Sequence, residues 1–242
     1  TVMITALGGR TIPRWFDRYG DVFSLRIAPA GRAVIIKKPE HIREVFAGSS
    51  STFHAGEGNA ILGPIMGRHS VLLLDEAEHL ETRKRIMAAF HGETIRGYDG
   101  VIADITREVI ATWPVDTPIR MHEQMNTISL EVIVRIVFGV SDGPRLDRLR
   151  PLLRELVGIG PTVFIGWLYP ALDRVGPWRR FQQIKAATDR ELYAEIAQRR
   201  TEHDLATRND VLSKLLHAAP EQSDEELRDH LVTLLLAGHE TT

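Results

Sequence analysis

A mainly α-helical fold with one small β-hairpin near the N-terminus is what the sequence predicts, as a single unit over residues 1–242. Three observations carry that expectation. From residue 75 onward apolar residues recur every three or four positions, the repeat of a helix with one buried face. Between 22 and 38 the pattern is instead alternating and β-branched, as in strands. No repeat, low-complexity tract or linker divides the chain.

Taken in order, "PRWFDRYG" (13–20) reads as a short helix stopped by Gly20. "VFSLRIA" sets Phe23, Leu25 and Ile27 against Ser24 and Arg26, "PAG" (29–31) supplies the turn, and "RAVIIKK" (32–38) returns as the second strand. Pro39 opens a helix whose apolar face is Ile42, Val45 and Phe46 and whose stop is Gly48. Residues 49–74 form a long connection rich in Ser, Gly and His, a length that usually serves function. Helices follow over 75–90, through Ile102, Ile105, Val109 and Thr112, and along Met121, Met125, Ile128, Val132 and Ile136 up to Gly139. "PRLDRLRPLLRELVGIG" starts another, its bounds blurred by Pro151. Residues 158–178 are irregular and apolar, 178–203 a polar helix, "DVLSKLLHAA" a short one, and 224–242 the last.

Composition narrows the function. With 43% hydrophobic and 26% charged residues the chain can bury a substantial core. A net charge of -2 gives no reason to expect nucleic acid or an anionic membrane as partner. The absence of cysteine removes disulfides, thiol nucleophiles and thiolate metal ligands from these residues. No apolar run has membrane-spanning length, and the first residues lack the charged-then-apolar order of a signal peptide. A cytoplasmic, bacterial protein is expected, with an upstream membrane anchor left open.

Two stretches stand out chemically. In "SDEELRDHLVTLLLAGHETT", Ser223 and Glu226 form a capping box, and Leu227, Leu231, Leu234, Leu235 and Gly238 make one stripe. Val232 and Leu236 fill other faces, so this helix is expected to run through the protein's centre. Gly238 costs about 1 kcal/mol against Ala in such an interior, which implies a close approach to the backbone or a bend. Glu240 beside Thr241 is either an acid–alcohol pair within the interior or the exposed cap of a core helix. In "DEAEHLETRKRIMAAF" (75–90), His79, Arg83, Ile86 and Phe90 share a face, so two cationic or hydrogen-bonding groups aim inward near a helix N-terminus, where the macrodipole disfavours positive charge. An anion against that face would explain them; a guanidinium paired with Glu78 or Glu81, or solvated, is the other reading.

Together these motifs carry a family resemblance. "AGHETT" is similar to the [AG]-G-x-[DE]-T-[TS] signature of the central helix in cytochrome P-450 haem-thiolate monooxygenases, and "HLETR" resembles that superfamily's H/W-x-x-x-R helix. The likeness extends over the whole chain in order and separation. It implies that His79 and Arg83 bind the haem propionates and that Ala237 and Gly238 pass beside the iron. It further implies that Glu240 and Thr241 relay protons to the oxygen being activated. Also implied are an electron-donor protein of ferredoxin or reductase type and a lipophilic small-molecule substrate. Its contacts would come from Gly56–Leu73 and Gly160–Trp178. The family's iron is held by a Cys thiolate on a later loop, preceded by an E-x-x-R helix. No cysteine occurs here and no E-x-x-R follows the AGHETT signature, so the chain resembles the N-terminal half or somewhat more of a member, the ligand is expected beyond residue 242, and these residues alone are not expected to be a competent oxygenase. The competing expectations are a non-catalytic remnant of the fold and an all-helical small-molecule-binding regulator. The latter would want a basic helix-turn-helix, where residues 1–50 instead read as a hairpin and one helix.

Overall fold

The hairpin forms where the alternation placed it. In a computed structural model describing residues 2–27, 31–90, 92–140, 143–158 and 170–240 (backbone alone at 2–10, 93, 170, 173 and 240), β1 (Val22–Ile27) pairs antiparallel with β2 (Gly31–Ile36). Val22 faces Ile36 and Ile27 faces Gly31. Phe23 is buried because α1 (Val2–Tyr19) lays Phe16 and Trp15 edge-on against its ring, with centroids 5.0 and 6.1 Å away. This helix is much longer than the predicted 13–20 and runs through Pro13, which interrupts its ladder without ending it. Helix α2 (Pro39–Ala47) has the expected bounds, yet its apolar face is not covered by any described element: Ile42 and Val45 are exposed and Phe46 is 88% exposed. Amphipathic spacing predicts a face and does not supply its partner.

The connection over 49–74 is not a plain loop. It holds α3 (Ala55–Asn59), a 3-10 turn (Ala60–Leu62) and α4 (Gly63–Met66). Helices of one turn carry no readable period, and these depend on outside partners. The Asp75 carboxylate supplies one, accepting from the amides of Gly56 at 2.8 Å and Glu57 at 3.0 Å.

The remaining helices are α5 (Glu76–Ala88), α6 (Gly92–Ile110), α7 (Met121–Ile136), α8 (Gly143–Val157), α9 (Gly176–Thr201), α10 (Val211–Ala218) and α11 (Asp224–Glu240). Pro151 lies inside α8 without ending it, and the polar helix α9 begins two residues earlier than predicted. Helix α11 runs through the centre as expected, packed against α7, α9, α8 and α4, while α5 rests on α10. Leu130, Val134, Leu153, Ile196, Leu231 and Leu235 are almost sealed from water at the heart of the bundle. On α7 the buried face is Leu130, Ile133, Val134 and Ile136; the predicted stripe is correct only at its end, since Met121 is exposed and Met125, Ile128 and Val132 are half-buried. Three helices, α6, α8 and α11, pack on α7, so its buried arc is wider than one stripe and rotated from it. Most of the aromatic segment 160–178, with Phe164, Ile165 and Trp167, lies outside the described residues.

An ionic knot ties four of these helices. Arg199, 2% exposed, donates to Asp210 at 2.6 Å and to the Ser213 hydroxyl at 2.7 Å, and it pairs with Glu195 one turn back. Arg145 from α8 reaches the same Glu195, and Arg208 meets Asp210 at 3.0 Å. Gly139 sits against the Asp210 carboxylate with φ of 69°; a Cβ there would be 2.4 Å from the carboxyl carbon. Its role as the stop after α7 is therefore also a packing requirement.

Candidate functional site

Helix α5 presents its polar edge beside its buried face. Thr82 and Ile86 are the residues it buries; His79 is half-buried and Arg83, expected to point inward, is exposed. Three residues advance a helix by 300° and four by 400°, so Arg83 falls at the margin of the arc that Thr82 and Ile86 define. Neither alternative carboxylate claims it. Glu81 lies 3.9 Å from Arg85, and no ion pair or side-chain hydrogen bond links His79 or Arg83 to any described residue. The start of α5 is held firmly. Glu76, at φ of 49°, and Glu57 receive His54 at 3.0 and 3.1 Å, and both carboxylates raise the pKa of that imidazole, Glu57 most.

The second candidate element is the end of α11. Its start is the predicted capping box: the Glu226 amide donates to the Ser223 hydroxyl at 3.2 Å, and the Ser223 amide donates to the Glu226 carboxylate at 2.8 Å. That amide bond holds the pKa of Glu226 below the ordinary carboxylate range. The helix continues to Glu240, whose side chain, like all of Thr241, lies outside the described residues. Of the other two predicted residues, Ala237 is exposed and Gly238 half-buried. A Cβ at 238 would stand 3.3 Å from Cδ1 of Ile133 on α7, and the Gly238 carbonyl accepts from the Ser129 hydroxyl at 3.2 Å. The close approach that this glycine implied is thus made by α7. His239 is buried beside a polar-walled cavity of about 650 Å³, which also meets His122, Asn126, Leu130 and Arg154.

The first half of α11 holds polar residues that the apolar reading of this helix passed over. Arg228, Asp229, His230 and Thr233 are each at most 3% exposed. Arg228 donates to Asp189 at 2.7 Å and to Asp229 at 3.0 Å, and Asp229 accepts from the amide of His69 at 3.0 Å. His230 is held neutral by burial, its pKa pushed down to about 4. The signal in the sequence was "LRDHLVT", where charged residues fall on the same turns as leucines that have to be buried.

The fold and motifs find counterparts among known proteins. The family model described as Cytochrome P450 matches residues 10–242. A Mycobacterium tuberculosis protein named as cytochrome P450 135A1 is 46% identical over 236 residues, which is 96% of this chain and 53% of that protein. Another from Mycobacterium bovis, named as cytochrome P450 135B1, is 41% identical over 245 residues, 100% of this chain and 52% of that protein. The chain therefore spans about half the length of the curated relatives it matches. Among solved structures, a retinoic-acid-bound cyanobacterial CYP120A1 superposes with a TM-score of 0.81 at 21% identity, over 98% of this chain and 54% of that one. No helix among the described residues is long and apolar enough to cross a membrane. By the family model and by identity over nearly its full length, the chain belongs to the cytochrome P450 family.

Proposed function

We propose that these residues form the propionate-binding edge and the central helix of a haem-thiolate monooxygenase that oxidises a lipophilic small molecule. One observation carries the reading: a chain of this family presents His79 and Arg83 on one edge of α5 with no carboxylate among the described residues paired to either. A cation left unclaimed among neighbouring acids suits an anionic cofactor, and the two haem propionates would supply the negative charge. Arg83 would hold one carboxylate in two parallel bonds and His79 would donate to the other. When bound, haem supplies oxygen activation, with thiolate donation favouring O–O cleavage.

The chain's own contribution is positional and protonic. Ala237, one residue before the glycine that α7 contacts, would offer the small surface facing the cofactor. Glu240 and Thr241 would hold and pass protons at the far end of α11, where a carboxylate and a hydroxyl can exchange a proton across one hydrogen bond. The thiolate ligand, which 242 residues without cysteine do not hold, falls in this reading to the remaining length that the relatives have. A ferredoxin- or reductase-type protein would deliver the electrons. Residues 1–242 would then be the N-terminal half or more of one larger domain, as the resemblance implied.

The test is the absorbance spectrum of the full-length gene product, reduced and treated with carbon monoxide. The red-shifted band of thiolate-ligated haem is the expected result. A product that binds no haem would be the non-catalytic remnant instead.

A further inference from the structure

Every residue from 67 to 70 touches α11. Gly67, at φ of 85°, lies so close to Asp229 that a Cβ would stand 1.9 Å from its Oδ1. Arg68 reaches Glu225 at 3.3 Å. His69 donates its amide to Asp229 Oδ2 at 3.0 Å and sets its Nδ1 at 3.2 Å from the same oxygen. Ser70, fully buried, has its hydroxyl 2.7 Å from that of Thr233 and accepts from the Leu72 amide at 3.3 Å. The far side of the segment is closed as well: Asp75 caps α3, and Asn59 donates to the Leu72 carbonyl at 3.0 Å.

We infer that Asp229 and Thr233 are positioning residues: they latch the 67–70 turn to α11 and thereby fix how the segment 55–73 covers the ligand space, so that this latch helps decide which ligands enter. The inference rests on the proposed haem-site reading for its second half only. The short helices within 55–73 cannot hold a conformation by themselves. Their placement is therefore set by the anchors, and the buried anchors belong to the same rod that carries Ala237, about 12 Å along the axis from Asp229 and about 6 Å from Thr233. His69, Glu225 and Asp229 also bring one imidazole nitrogen and two carboxylates within 4.8 Å of one another, as a cation site would. Guanidinium groups already answer both carboxylates, Arg68 at Glu225 and Arg228 at Asp229, which favours a latch over a metal centre.

The latch is tested by hydrogen exchange on the full-length product, comparing wild type with Thr233→Val, Asp229→Asn and His69→Ala. Amides in 62–73 are expected to exchange at least tenfold faster in the variants, with those of α8 and α9 unchanged. In the haem-loaded protein the ratio of dissociation constants for imidazole and 4-phenylimidazole, read spectroscopically, is expected to change at least threefold. Unchanged exchange in 62–73, or a rise spread evenly over α8, α9 and α11, would overturn the latch. Faster local exchange with an unchanged ratio would overturn its part in ligand choice. If Asp229→Asn does not fold, Thr233→Val, which swaps a hydroxyl for a methyl, and His69→Ala carry the test. Exchange needs no haem, so a haem-free product would end the functional reading and leave the latch still measurable.

Discussion

Gly238 and Ile133 are in contact across the α11–α7 interface, close enough that even a methyl on the glycine would reach the isoleucine side chain at 3.3 Å. A leucine there has to displace the Ile133 side chain. Gly238→Leu is expected to destabilise the protein by about 1–3 kcal/mol through overpacking. Ile133→Ala in the same chain should recover part of that loss, because it vacates the space the leucine needs. A double-mutant cycle by urea denaturation measures the coupling; simple additivity would show that the two residues do not meet.

The Arg199 knot should be costly to open. Arg199→Leu removes the buried guanidinium of the knot and leaves Glu195 to Arg145 and Asp210 to Arg208 alone, so a loss of about 3 kcal/mol, the low end for breaking a buried pair, is expected. Arg199→Lys restores the charge and not the planar fork that serves Asp210, Ser213 and Glu195 together, so it should recover less than half. The urea midpoints of the two variants check this.

Acid should weaken the fold through His230. Its pKa is about 4 in the fold, pushed down by burial, against 6.5 for an ordinary histidine. Between those values the unfolded chain binds a proton that the fold refuses. Stability from this residue is thus complete above pH 6.5, falls as the pH drops towards 4, and has then lost roughly 3 kcal/mol. His230→Gln, which keeps hydrogen-bonding groups and does not titrate, is expected to flatten the stability profile across that window. An unaltered profile in the variant would assign the acid sensitivity elsewhere.

From α5 onward the long helices were legible because several turns of apolar spacing outweigh any local ambiguity, and the hairpin because Phe23, Leu25 and Ile27 alternate with polar neighbours, whereas the first eleven residues of α1 were missed. The capping box was legible because Ser223 and Glu226 act on adjacent backbone. What escaped was set by partners distant in sequence. Helix α3 exists through Asp75, nineteen residues after Gly56. The buried polar turn of α11 depends on Asp189 and His69. Gly238 read correctly as a site of close approach, but its neighbour Ile133 lies on a helix more than a hundred residues earlier. For Arg83 the spacing placed the residue near the buried arc without resolving on which side of its edge it falls.

The proton-handling roles proposed for Glu240 and Thr241 predict uncoupling. In the full-length product, Thr241→Ala should keep electron consumption within a few-fold of wild type while peroxide release rises and product formation falls. Parallel measurement of electron donor consumed, peroxide and product decides it. Unchanged coupling would remove Thr241 from the relay.

The cationic edge of α5 is the centre of the account, and haem retention tests it most directly. The rate of haem loss to an excess of apomyoglobin should rise at least tenfold in Arg83→Ala of the full-length product, the equivalent of losing about 1.4 kcal/mol or more of charge-assisted hydrogen bonding. Arg83→Lys should fall between the two. A rate identical to wild type in Arg83→Ala, with its fold intact, would show that the edge does not hold the cofactor.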